Sequence, residues 1–447
     1  MSILHYTIGL PPARNGGSIQ YAHDLMSEQL RHGYEVYALT CGDTLFRGNK
    51  GRVKKQGNIG DLEVYNLTNP LTPTLIYGVK EPTAQYRSVN IDYENILRFI
   101  TDKKIKIIHL HTLMGLHKDI VRYIKSLGVK IIYTTHDFHG ICLHCNLINE
   151  KGQLCTHANS VSCTRCNIVE PSDFFLRLAN SSFYHFLKRI NLFSILSKPK
   201  GYSNTFTVGS VTSTKPKERE YKILLDYYKD YFTLIDKFHF NSTQTKQVFQ
   251  SFLPGIEGRV ISVITEGITD NRNPIQLSNM IKFGFIGSLN AYKGFPILKE
   301  VILELFTEGY NNFKLLIYSG NLTGSDPDCY LIEYCPPYKY EEISSVLHNI
   351  DCLIVPSKWY ETFSLVTLEA LAHGRPVIVS DHVGAKDIVK SYDPDFIFSS
   401  KLQLKKILKE ILDRPDILKN INRKIMDMPW PYSLSQHTQD ILNYYNE

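Results

Sequence analysis

The sequence predicts an α/β protein built from two doubly wound domains. Strand-like apolar runs alternate with helical patterns, which is typical of parallel strands joined by helical crossovers. The alternation starts afresh at Ile281, after a polar stretch at 272–280 that has no periodicity, so we expect the chain to divide near this point. The length of 447 residues and the 43% hydrophobic content are sufficient for two separate cores.

In the first half, apolar runs and periodic helical segments alternate from the beginning. Ile3–Ile8 is apolar enough for a buried strand, and the PPARNGG loop after it leads to a helix near Ser18. Gly33 stands where that helix is expected to end. The other elements expected here are strands at Val36–Leu39, Ile105–His111 and Lys130–Thr135, and a helix at Lys118–Ser126.

The second half has the same architecture without a residue-level repeat. The KFGFIG strand at 282–287 leads through SLNAYKG into a helix that carries Val301 and Leu305. Two doubly wound domains usually bind their ligand at the carboxyl ends of their strands, so we expect the domains to face each other across a cleft. The other elements expected here are strands at Phe313–Tyr318, Cys352–Val355 and Val377–Val379, and a helix from about Leu365.

Composition excludes some classes of function and favours others. The net charge of +6, from 50 basic and 44 acidic residues, is too weak to indicate nucleic-acid binding. It is compatible with a polyanionic small ligand or with an anionic membrane surface. The N-terminal segment lacks the features of a signal peptide, and no apolar run reaches the length of a membrane span, so we expect a cytoplasmic protein. The absence of G-x-G-x-x-G counts against a dinucleotide-dependent oxidoreductase.

The most informative segment is PSKWYETFSLVTLEALAHGRPVIVS at 356–380. A buried strand is expected to end just before it, a loop carries Glu361, and the helix from about Leu365 carries Glu369. Carboxylates accept hydrogen bonds from sugar hydroxyls, and free N–H groups at a helix N-terminus bind phosphate. The alternative is that Glu369 only complements the helix dipole. The spacing by itself leaves both interpretations open.

With its strand–loop–helix context, this segment resembles the group 1 (family 4) glycosyltransferases of GT-B fold, which consist of two Rossmann-like domains. The resemblance covers nearly the whole chain. It implies that Glu361 contacts the donor hexose and that Glu369 holds the ribose hydroxyls, with Thr362, Phe363 and Ser364 between them. Ser364 replaces a glycine that is frequent in the family, which leaves less room for the sugar.

Two glycine-containing loops extend the resemblance. In GSLNAYKG at 287–294, Lys293 has the position of a family lysine that pairs with the donor diphosphate, and Ser288 replaces a frequent arginine. Losing that cation weakens the expected diphosphate site. In PARNGGS at 12–18, Gly16 and Gly17 allow the close approach of a ligand at a helix N-terminus. A solvated lysine and an ordinary turn are the alternatives for these two motifs.

Histidines are concentrated where two strands of the first half end. IIHLHT places His109 and His111 on one side of a strand, and YTTHDF places His136 after the next strand. The resemblance implies that His111 lies against the reacting sugar and acceptor, with His136 nearby on the acceptor side. The alternative for each is a structural histidine with satisfied hydrogen bonds.

Five of the nine cysteines lie between Cys142 and Cys166. Two C-x2-C pairs in a reducing compartment are typical of a tetrahedral Zn²⁺ site. The resemblance to a subset of these glycosyltransferases implies the ligands Cys142, Cys155, Cys163 and Cys166, with Cys145 as the alternative ligand. Such a closed site would be structural, and the resemblance implies that catalysis needs no cofactor. The alternative is a set of reduced cysteines without metal.

We therefore expect a retaining glycosyltransferase that moves a hexose-type sugar from a nucleotide-diphosphate sugar to a hydroxyl of a glycan or lipid-linked acceptor. The predicted catalytic residues are His111, Glu361 and Lys293, and the pathway is cell-surface polysaccharide or glycolipid synthesis. A sugar-nucleotide epimerase of the same fold and a degenerate, non-catalytic binding protein are the alternatives. Nucleic acid is not an expected partner.

The expected domains are an acceptor-side domain at 1–275 and a nucleotide-sugar domain at 276–430. The first contains an insertion, rich in cysteine and aromatic residues, at about 139–235. The resemblance implies that a C-terminal helix at 431–447 packs back on the first domain. An amphipathic, basic helix at 174–200 suits either peripheral contact with the inner face of the cell membrane or packing under the insertion.

Overall fold

The computed structural model describes residues 1–44, 50–168, 170–181, 184, 215–320 and 322–447. The chain forms two compact units. Unit 1 comprises Met1–Asn241, Lys246–Thr265 and Leu434–Glu447, and unit 2 comprises Ser242–Thr245 and Glu266–Ser433. The main segment of unit 2 thus begins at Glu266, ten residues before the expected second domain at 276. The last helix of the chain belongs to unit 1.

Both units alternate strands and helices along the chain. The strands are β1 Ser2–Thr7, β2 Glu35–Cys41, β3 Val53–Ile59, β4 Leu62–Leu67, β5 Ile105–Leu110, β6 Lys130–Thr134, β7 Lys237–Phe240, β8 Gly258–Val260, β9 Ile281–Ile286, β10 Phe313–Tyr318, β11 Gly324–Asp326, β12 Cys329–Tyr334, β13 Cys352–Val355, β14 Val377–Ser380 and β15 Ile397–Phe398. The α-helices are α1 Gly17–Arg31, α2 Tyr93–Asp102, α3 Lys118–Ser126, α4 Ser160–Asn167, α5 Asp173–Ala179, α6 Lys215–Phe232, α7 Thr243–Phe252, α8 Phe295–Thr307, α9 Ile343–His348, α10 Leu365–Ala372, α11 Lys386–Tyr392, α12 Lys401–Asp413, α13 Asp416–Asp427 and α14 Leu434–Asn446.

Unit 1 is built on an eight-stranded sheet in the order β3-β4-β2-β1-β5-β6-β7-β8. The strands pair in parallel except for β3, which pairs antiparallel with β4 at the sheet edge. The central strands are buried because helices cover both faces of such a sheet. Helix α1 contributes Ala22 and Met26 to this core, and both side chains are fully buried.

Unit 2 is built on a seven-stranded sheet in the order β11-β12-β10-β9-β13-β14-β15. Its strands are parallel apart from the β11–β12 hairpin. In both sheets the chain starts in the middle, moves outward in one direction and then returns to the other side of the first strand. This doubly wound order confirms the predicted fold class. It creates a switch point between β1 and β5 in unit 1 and between β9 and β13 in unit 2, where such folds bind ligands.

Most predicted elements lie within one residue of the observed ones. The expected strand ending at His111 ends instead at Leu110, although the His111 N–H still donates to the Tyr6 carbonyl at 2.9 Å. The expected helix at 174–200 is seen only as α5, because the rest lies almost entirely outside the described residues. Among the described helices, none has both the length and the apolar character that crossing a membrane requires.

Candidate active site

At the switch point of unit 2, the loops after β9 and β13 are held against each other. Gly294 has φ 77°, and a Cβ at this position would lie 1.7 Å from the carbonyl oxygen of Pro356. Only glycine allows this approach. The Tyr292 carbonyl also accepts hydrogen bonds from the backbone N–H groups of Lys358 at 2.8 Å and Trp359 at 3.2 Å. The two loops therefore form one continuous surface at the strand ends.

This contact brings together Lys293 and Glu361, two residues that the sequence analysis assigned to the donor site. Nζ of Lys293 lies 2.8 Å from Oε1 of Glu361. The same carboxylate oxygen accepts hydrogen bonds from the Ser357 hydroxyl and, at 3.4 Å, from Nε1 of Trp359. Nζ of Lys293 also lies 5.4 Å from the centroid of the Trp359 ring, within the range of a cation–π interaction.

The surroundings of Glu361 keep it charged. Its side chain is only 8% exposed, and burial by itself would raise its pKa. The positive charge of Lys293 and the hydrogen bonds from Lys293, Ser357 and Trp359 outweigh burial and hold the pKa of Glu361 below its ordinary value. The carboxylate is therefore ionised at neutral pH and faces a cation that remains 31% exposed.

Backbone hydrogen bonds fix the segment that carries Glu361. Its N–H donates to the His382 carbonyl at 2.9 Å, and its own carbonyl accepts from the Gly384 N–H at 2.9 Å. The Phe363 carbonyl accepts from the Ala385 N–H at 2.7 Å, and the Phe363 side chain is buried. Thr362, between them, is half-buried. The loop after β14 thus positions the whole segment.

Helix α10 begins with an uncapped N-terminus directly after this segment. Its N-cap residue, Ser364, has φ 97° and makes no side-chain hydrogen bond to the helix backbone. The Ser364 hydroxyl instead accepts a hydrogen bond from that of Thr367 at 3.0 Å. The first turn of α10 has no acidic residue. This helix end therefore has N–H groups and a dipole suited to an anion.

Glu369 lies on α10 in a different environment from Glu361. It is half-buried, and burial raises its pKa, an effect that a hydrogen bond with Tyr340 partly offsets. Tyr338 is close enough for the Glu369 charge to raise the pKa of its phenol, although burial contributes more. Glu369 thus faces tyrosines of the loop after β12, whereas Lys293 and Glu361 pair with each other.

The remaining donor-site residues lie in exposed turns. Ser288 is exposed in the loop after β9, where its hydroxyl accepts a hydrogen bond from Nδ2 of Asn290 at 3.2 Å. In unit 1, Gly16 is the N-cap of α1 with φ 150°, and Gly17 is the first helical residue. Both glycines are exposed, and the first turn of α1 has no acidic residue.

At the switch point of unit 1, His111 is enclosed by other histidines. It is 3% exposed. Its Nε2 lies 2.9 Å from Nδ1 of His5, and its Nδ1 lies 3.2 Å from Nε2 of His136. Burial and the neighbouring histidines lower its pKa well below the ordinary value, so the ring is neutral at pH 7. Both ring nitrogens of His111 are occupied, and it is the half-buried His136 that lies nearer to solvent.

These contacts belong to a longer hydrogen-bonded series, which we call the histidine network. It consists of His239, Thr134, His109, Tyr445, Gln29, His5, His111 and His136. Sequence analysis missed His5, Gln29, His239 and Tyr445. The available indication was the presence of histidine in the otherwise apolar strands β1 and β7.

Part of this network has the composition of a metal site. Among the described residues, His5, His109 and His111 form the one group of three or more potential metal ligands whose ligand atoms all lie within 4.8 Å of one another. All six of their ring nitrogens already face a hydrogen-bond partner in the network. A metal ion would have to replace these hydrogen bonds, so the geometry fits a polar network better.

Four cysteines of the insertion lie near one another, and the fifth is engaged elsewhere. Cys142 accepts a hydrogen bond from the Leu147 N–H at 3.3 Å, and Cys163 and Cys166 lie one turn apart on α4. Burial raises the pKa of Cys155 to about 11 and of Cys163 to about 12, and the charge of Cys142 adds to both shifts.

The thiol of Cys145 points toward other partners. It donates to the Leu75 carbonyl at 3.2 Å, and its Sγ lies 3.7 Å from Nδ1 of His139. All five residues of the cluster are free cysteines. Thiolate sulfurs of a tetrahedral zinc site lie about 3.8 Å apart, and no three of these cysteines bring their sulfurs within 4.8 Å of one another. The donor chemistry therefore suits zinc, and binding would require the cluster to contract.

Comparisons with known proteins agree with this architecture. Residues 281–413 match the family model described as glycosyl transferases group 1. An uncharacterized 42.6 kDa protein from the cps region of Klebsiella pneumoniae is 22% identical over 322 residues, which are 70% of this chain and 66% of that relative. The match therefore spans slightly less than two thirds of the relative's length.

Solved structures of glycosyltransferases are similar over the whole chain. Sucrose-phosphate synthase from Thermosynechococcus elongatus superposes with a TM-score of 0.58 at 14% identity, covering 100% of this chain and 98% of that one. Anabaena HepE in complex with UDP-glucose superposes with a TM-score of 0.53 at 12% identity, covering 100% and 99%. These similarities confirm the predicted GT-B fold. The chain therefore has the GT-B fold, and its residues 281–413 match the family model of the group 1 glycosyltransferases.

Proposed function

We propose that the protein is a retaining glycosyltransferase that moves a hexose-type sugar from a nucleotide-diphosphate sugar to an acceptor hydroxyl. The observation that carries the proposal is the convergence of Lys293, Glu361 and the uncapped start of α10 at the switch point of unit 2. A diphosphate needs a cation and free N–H groups, whereas a sugar needs a carboxylate beside them. The group 1 family match of this unit supports the assignment.

In this proposal Lys293 exchanges its partner when the donor binds. Without ligand its ammonium neutralises Glu361 at 2.8 Å. A diphosphate carries more negative charge than one carboxylate and competes for the same cation. Once Lys293 turns to the phosphates, Glu361 accepts hydrogen bonds from the sugar hydroxyls, and Ser357 and Trp359 continue to hold it in position. The resemblance gives Glu369 the ribose, and its half-buried position beside Tyr340 is compatible with that role.

Transfer in this scheme needs no catalytic cofactor. The resemblance implies that the leaving diphosphate helps take the acceptor proton, while Lys293 and the α10 N-terminus stabilise the charge that grows on it. Ser288, in place of the frequent arginine, contributes no charge, so the diphosphate depends on Lys293 more heavily. The resemblance assigns the acceptor to the unit that carries His111 and His136, with Gly16 and Gly17 at the start of its first helix.

The acceptor is proposed to be a glycan or a lipid-linked sugar of cell-surface polysaccharide or glycolipid synthesis. The support is the similarity to a protein of the cps region of Klebsiella pneumoniae. A cytoplasmic protein, with or without peripheral membrane contact through the segment at 174–200, is compatible with this role. Most of that segment lies outside the described residues.

We also propose a structural zinc ion held by Cys142, Cys155, Cys163 and Cys166. Two observations support this set. The charges of Cys142 and Cys155 raise the pKa of Cys163, and the Leu147 N–H donates a hydrogen bond to Sγ of Cys142. Cys145 fits less well because its thiol is hydrogen-bonded to the Leu75 carbonyl. The ion would link α4 to the loop that carries Cys142 and would take no part in the reaction.

Sugar transfer to an acceptor tests the enzymatic proposal. Purified protein is incubated with a panel of nucleotide-diphosphate sugars and with glycan or lipid-linked acceptors, and products are identified by mass spectrometry. We expect a glycosylated acceptor with retained anomeric configuration, and at least a hundredfold lower rate in Glu361→Ala and in Lys293→Ala. Conversion of the donor sugar without an acceptor would indicate the epimerase, and binding of no donor would indicate a non-catalytic protein.

A further inference from the structure

A short segment that is distant in the sequence binds the loop that carries Glu361. This segment, Ser242–Thr245, belongs to unit 2 and consists of the residue before α7 and the first turn of that helix. Two of its hydroxyl groups donate to one backbone carbonyl, that of Thr362. Oγ of Ser242 and Oγ1 of Thr245 each lie 2.8 Å from this oxygen. A carbonyl oxygen has two lone pairs and can accept both hydrogen bonds.

The Ser242 hydroxyl links the start of α7 to this loop. Its oxygen accepts a hydrogen bond from the Thr245 N–H at 3.1 Å, as an N-cap residue does, while its proton is donated to Thr362. Ser242 is 3% exposed and Thr245 is 0% exposed. The contact requires Gly384, because a Cβ there would lie 2.3 Å from the Thr362 oxygen and 2.6 Å from Oγ of Ser242. Close packing therefore fixes the Thr362 carbonyl.

Gln244 supports the peptide group on the other side of Glu361. Its Nε2 donates at 2.7 Å to the His382 carbonyl, which also accepts from the Glu361 N–H at 2.9 Å. The Gln244 side chain is buried, and among the described residues its Oε1 has no hydrogen-bond partner. Gln244 therefore acts through Nε2. The segment thus holds the backbone on both sides of Glu361, directly at Thr362 and through His382.

We infer that the side chains of Ser242, Gln244 and Thr245 position the Glu361 carboxylate for the sugar of the donor. They act through the backbone of the loop, so they are positioning residues and not catalytic ones. A hydrogen bond from a sugar hydroxyl to a carboxylate weakens steeply when its distance or angle changes, so small movements of this backbone matter. That Glu361 receives the donor sugar rests on the proposed function, whereas the hydrogen bonds of the segment do not.

This role concerns the sugar more than the diphosphate. The proposed phosphate ligands are Lys293, on the loop after β9, and the start of α10. Phe363 separates Thr362 from that helix, and it is buried and bonded through its carbonyl to the Ala385 N–H at 2.7 Å. Loosening the Thr362 carbonyl should therefore displace Glu361 and leave the phosphate ligands in place.

The chain offers matched variants for this test. Thr245→Val removes one hydroxyl from Thr362 and keeps the shape of the side chain, whereas Thr245→Ser keeps the hydroxyl. Thr135→Val is the control, because Thr135 is equally buried at 0% exposure and its hydroxyl also donates to a backbone carbonyl, that of His239 in unit 1. Gln244→Met removes the other contact at similar side-chain length, and it carries the test if Thr245→Val fails to fold.

Hydrogen exchange measured by mass spectrometry on the full-length protein reports on the loop without any ligand. The Glu361 N–H donates to the His382 carbonyl and the Gly384 N–H donates to the Glu361 carbonyl, each at 2.9 Å. We expect peptides containing these two amides to exchange about fivefold faster in Thr245→Val and in Gln244→Met, the factor expected for one lost hydrogen bond. Thr245→Ser and Thr135→Val should exchange like the wild type. Unchanged exchange in the folded Thr245→Val and Gln244→Met variants would overturn the inference.

Calorimetry then separates the sugar from the diphosphate. UDP, GDP, ADP and dTDP are titrated first, and the one that binds the wild type is compared with the tightest-binding of its glucose, galactose and mannose conjugates. We expect Thr245→Val to bind the conjugate about fivefold more weakly and the diphosphate within about twofold of the wild type. Thr245→Ser should restore the affinity for the conjugate, and Thr135→Val should leave it unchanged.

The remaining outcomes distinguish this inference from the proposed function. Equal weakening of diphosphate and conjugate in Thr245→Val would indicate a general structural role and overturn the inference. Unchanged affinity for the conjugate, despite faster exchange, would overturn it as well. If no diphosphate binds the wild type, the proposed function fails, and the exchange rates still decide whether the segment holds Glu361 in place.

Discussion

The ammonium of Lys293 and the carboxylate of Glu361, 68 positions apart in the sequence, form a 2.8 Å ion pair in unit 2. The pair exists because Gly294 allows the loop after β9 to lie against Pro356. It keeps an almost fully buried carboxylate charged. The proposed donor site is thus preassembled, with a cation that the donor phosphates can compete for.

Removing the cation should change both stability and its pH dependence. We expect Lys293→Met to lower the free energy of unfolding by about 1–3 kcal/mol, because Glu361 keeps only its hydrogen bonds. Lys358→Met is the control, since Lys358 is an exposed lysine of the facing loop. Urea unfolding at several pH values measures both effects.

The sign of the pH effect follows from the pKa of Glu361. In the wild type this pKa is lowered, so Glu361 contributes stability above its ordinary pKa that is lost as the pH falls. In Lys293→Met burial dominates and raises the pKa, so the contribution is instead lost as the pH rises. Identical pH profiles for Lys293→Met and Lys358→Met would contradict the importance of the ion pair.

Gly294 should be far less tolerant than another glycine of similar conformation. Gly294→Ala places a Cβ 1.7 Å from the Pro356 oxygen, whereas Gly309, with φ 92°, has no atom within 4 Å of the added Cβ. We expect about 1 kcal/mol of destabilisation in Gly309→Ala from backbone strain alone, and about 2–4 kcal/mol in Gly294→Ala. Thermal unfolding distinguishes them, and equal losses would refute the close approach of the two loops.

Ser364 occupies a backbone conformation that favours glycine, with φ 97°. Ser364→Gly and Ser364→Ala both lose the hydroxyl that Thr367 contacts, but only glycine relieves the strain. We therefore expect Ser364→Gly to be more stable than Ser364→Ala by about 1 kcal/mol. Within an ordinary helix the order is opposite, so an alanine variant that is the more stable of the two in chemical denaturation would argue against strain at this position.

Zinc analysis distinguishes the two cysteine sets. Protein purified without chelator should contain about one zinc per chain, and a strong chelator should lower its melting temperature because the ion binds only the folded state. We expect Cys163→Ser to lose the metal and Cys145→Ser to retain it, since Cys145 is hydrogen-bonded to the Leu75 carbonyl. Wild-type protein without zinc would exclude the site, and loss in Cys145→Ser alone would favour the other ligand set.

The fold was predictable because the hydrophobic periodicity that indicates each strand or helix depends only on residues close together in the sequence. The strands Phe313–Tyr318 and Cys352–Val355 have the predicted bounds, as does the helix Lys118–Ser126. The edge strand β3, with its polar VKKQGNI sequence, was missed because it has one solvated side and little apolar periodicity.

The site was predictable in part, for a different reason. Glu361 and Lys293 stand out through their motifs, and the structure brings them together. The histidine network depends on pairs such as His109 and Tyr445, which are 336 positions apart. Periodicity cannot predict such contacts, although paired strands bring His5 level with His109 and Thr134 level with His239. The structure buries His111, to which sequence analysis assigned a contact with the reacting sugar and acceptor, and leaves His136 half-buried.

Calorimetric titration of the purified protein with nucleoside diphosphates tests the central claim most directly, because the claim is that Lys293 binds the donor diphosphate. UDP, GDP, ADP and dTDP are each titrated into the wild type, Lys293→Met and Lys358→Met. We expect one of them to bind the wild type and Lys358→Met alike, and to bind Lys293→Met at least tenfold more weakly. Equal affinity in all three proteins, or no binding of any diphosphate to the wild type, would contradict the account.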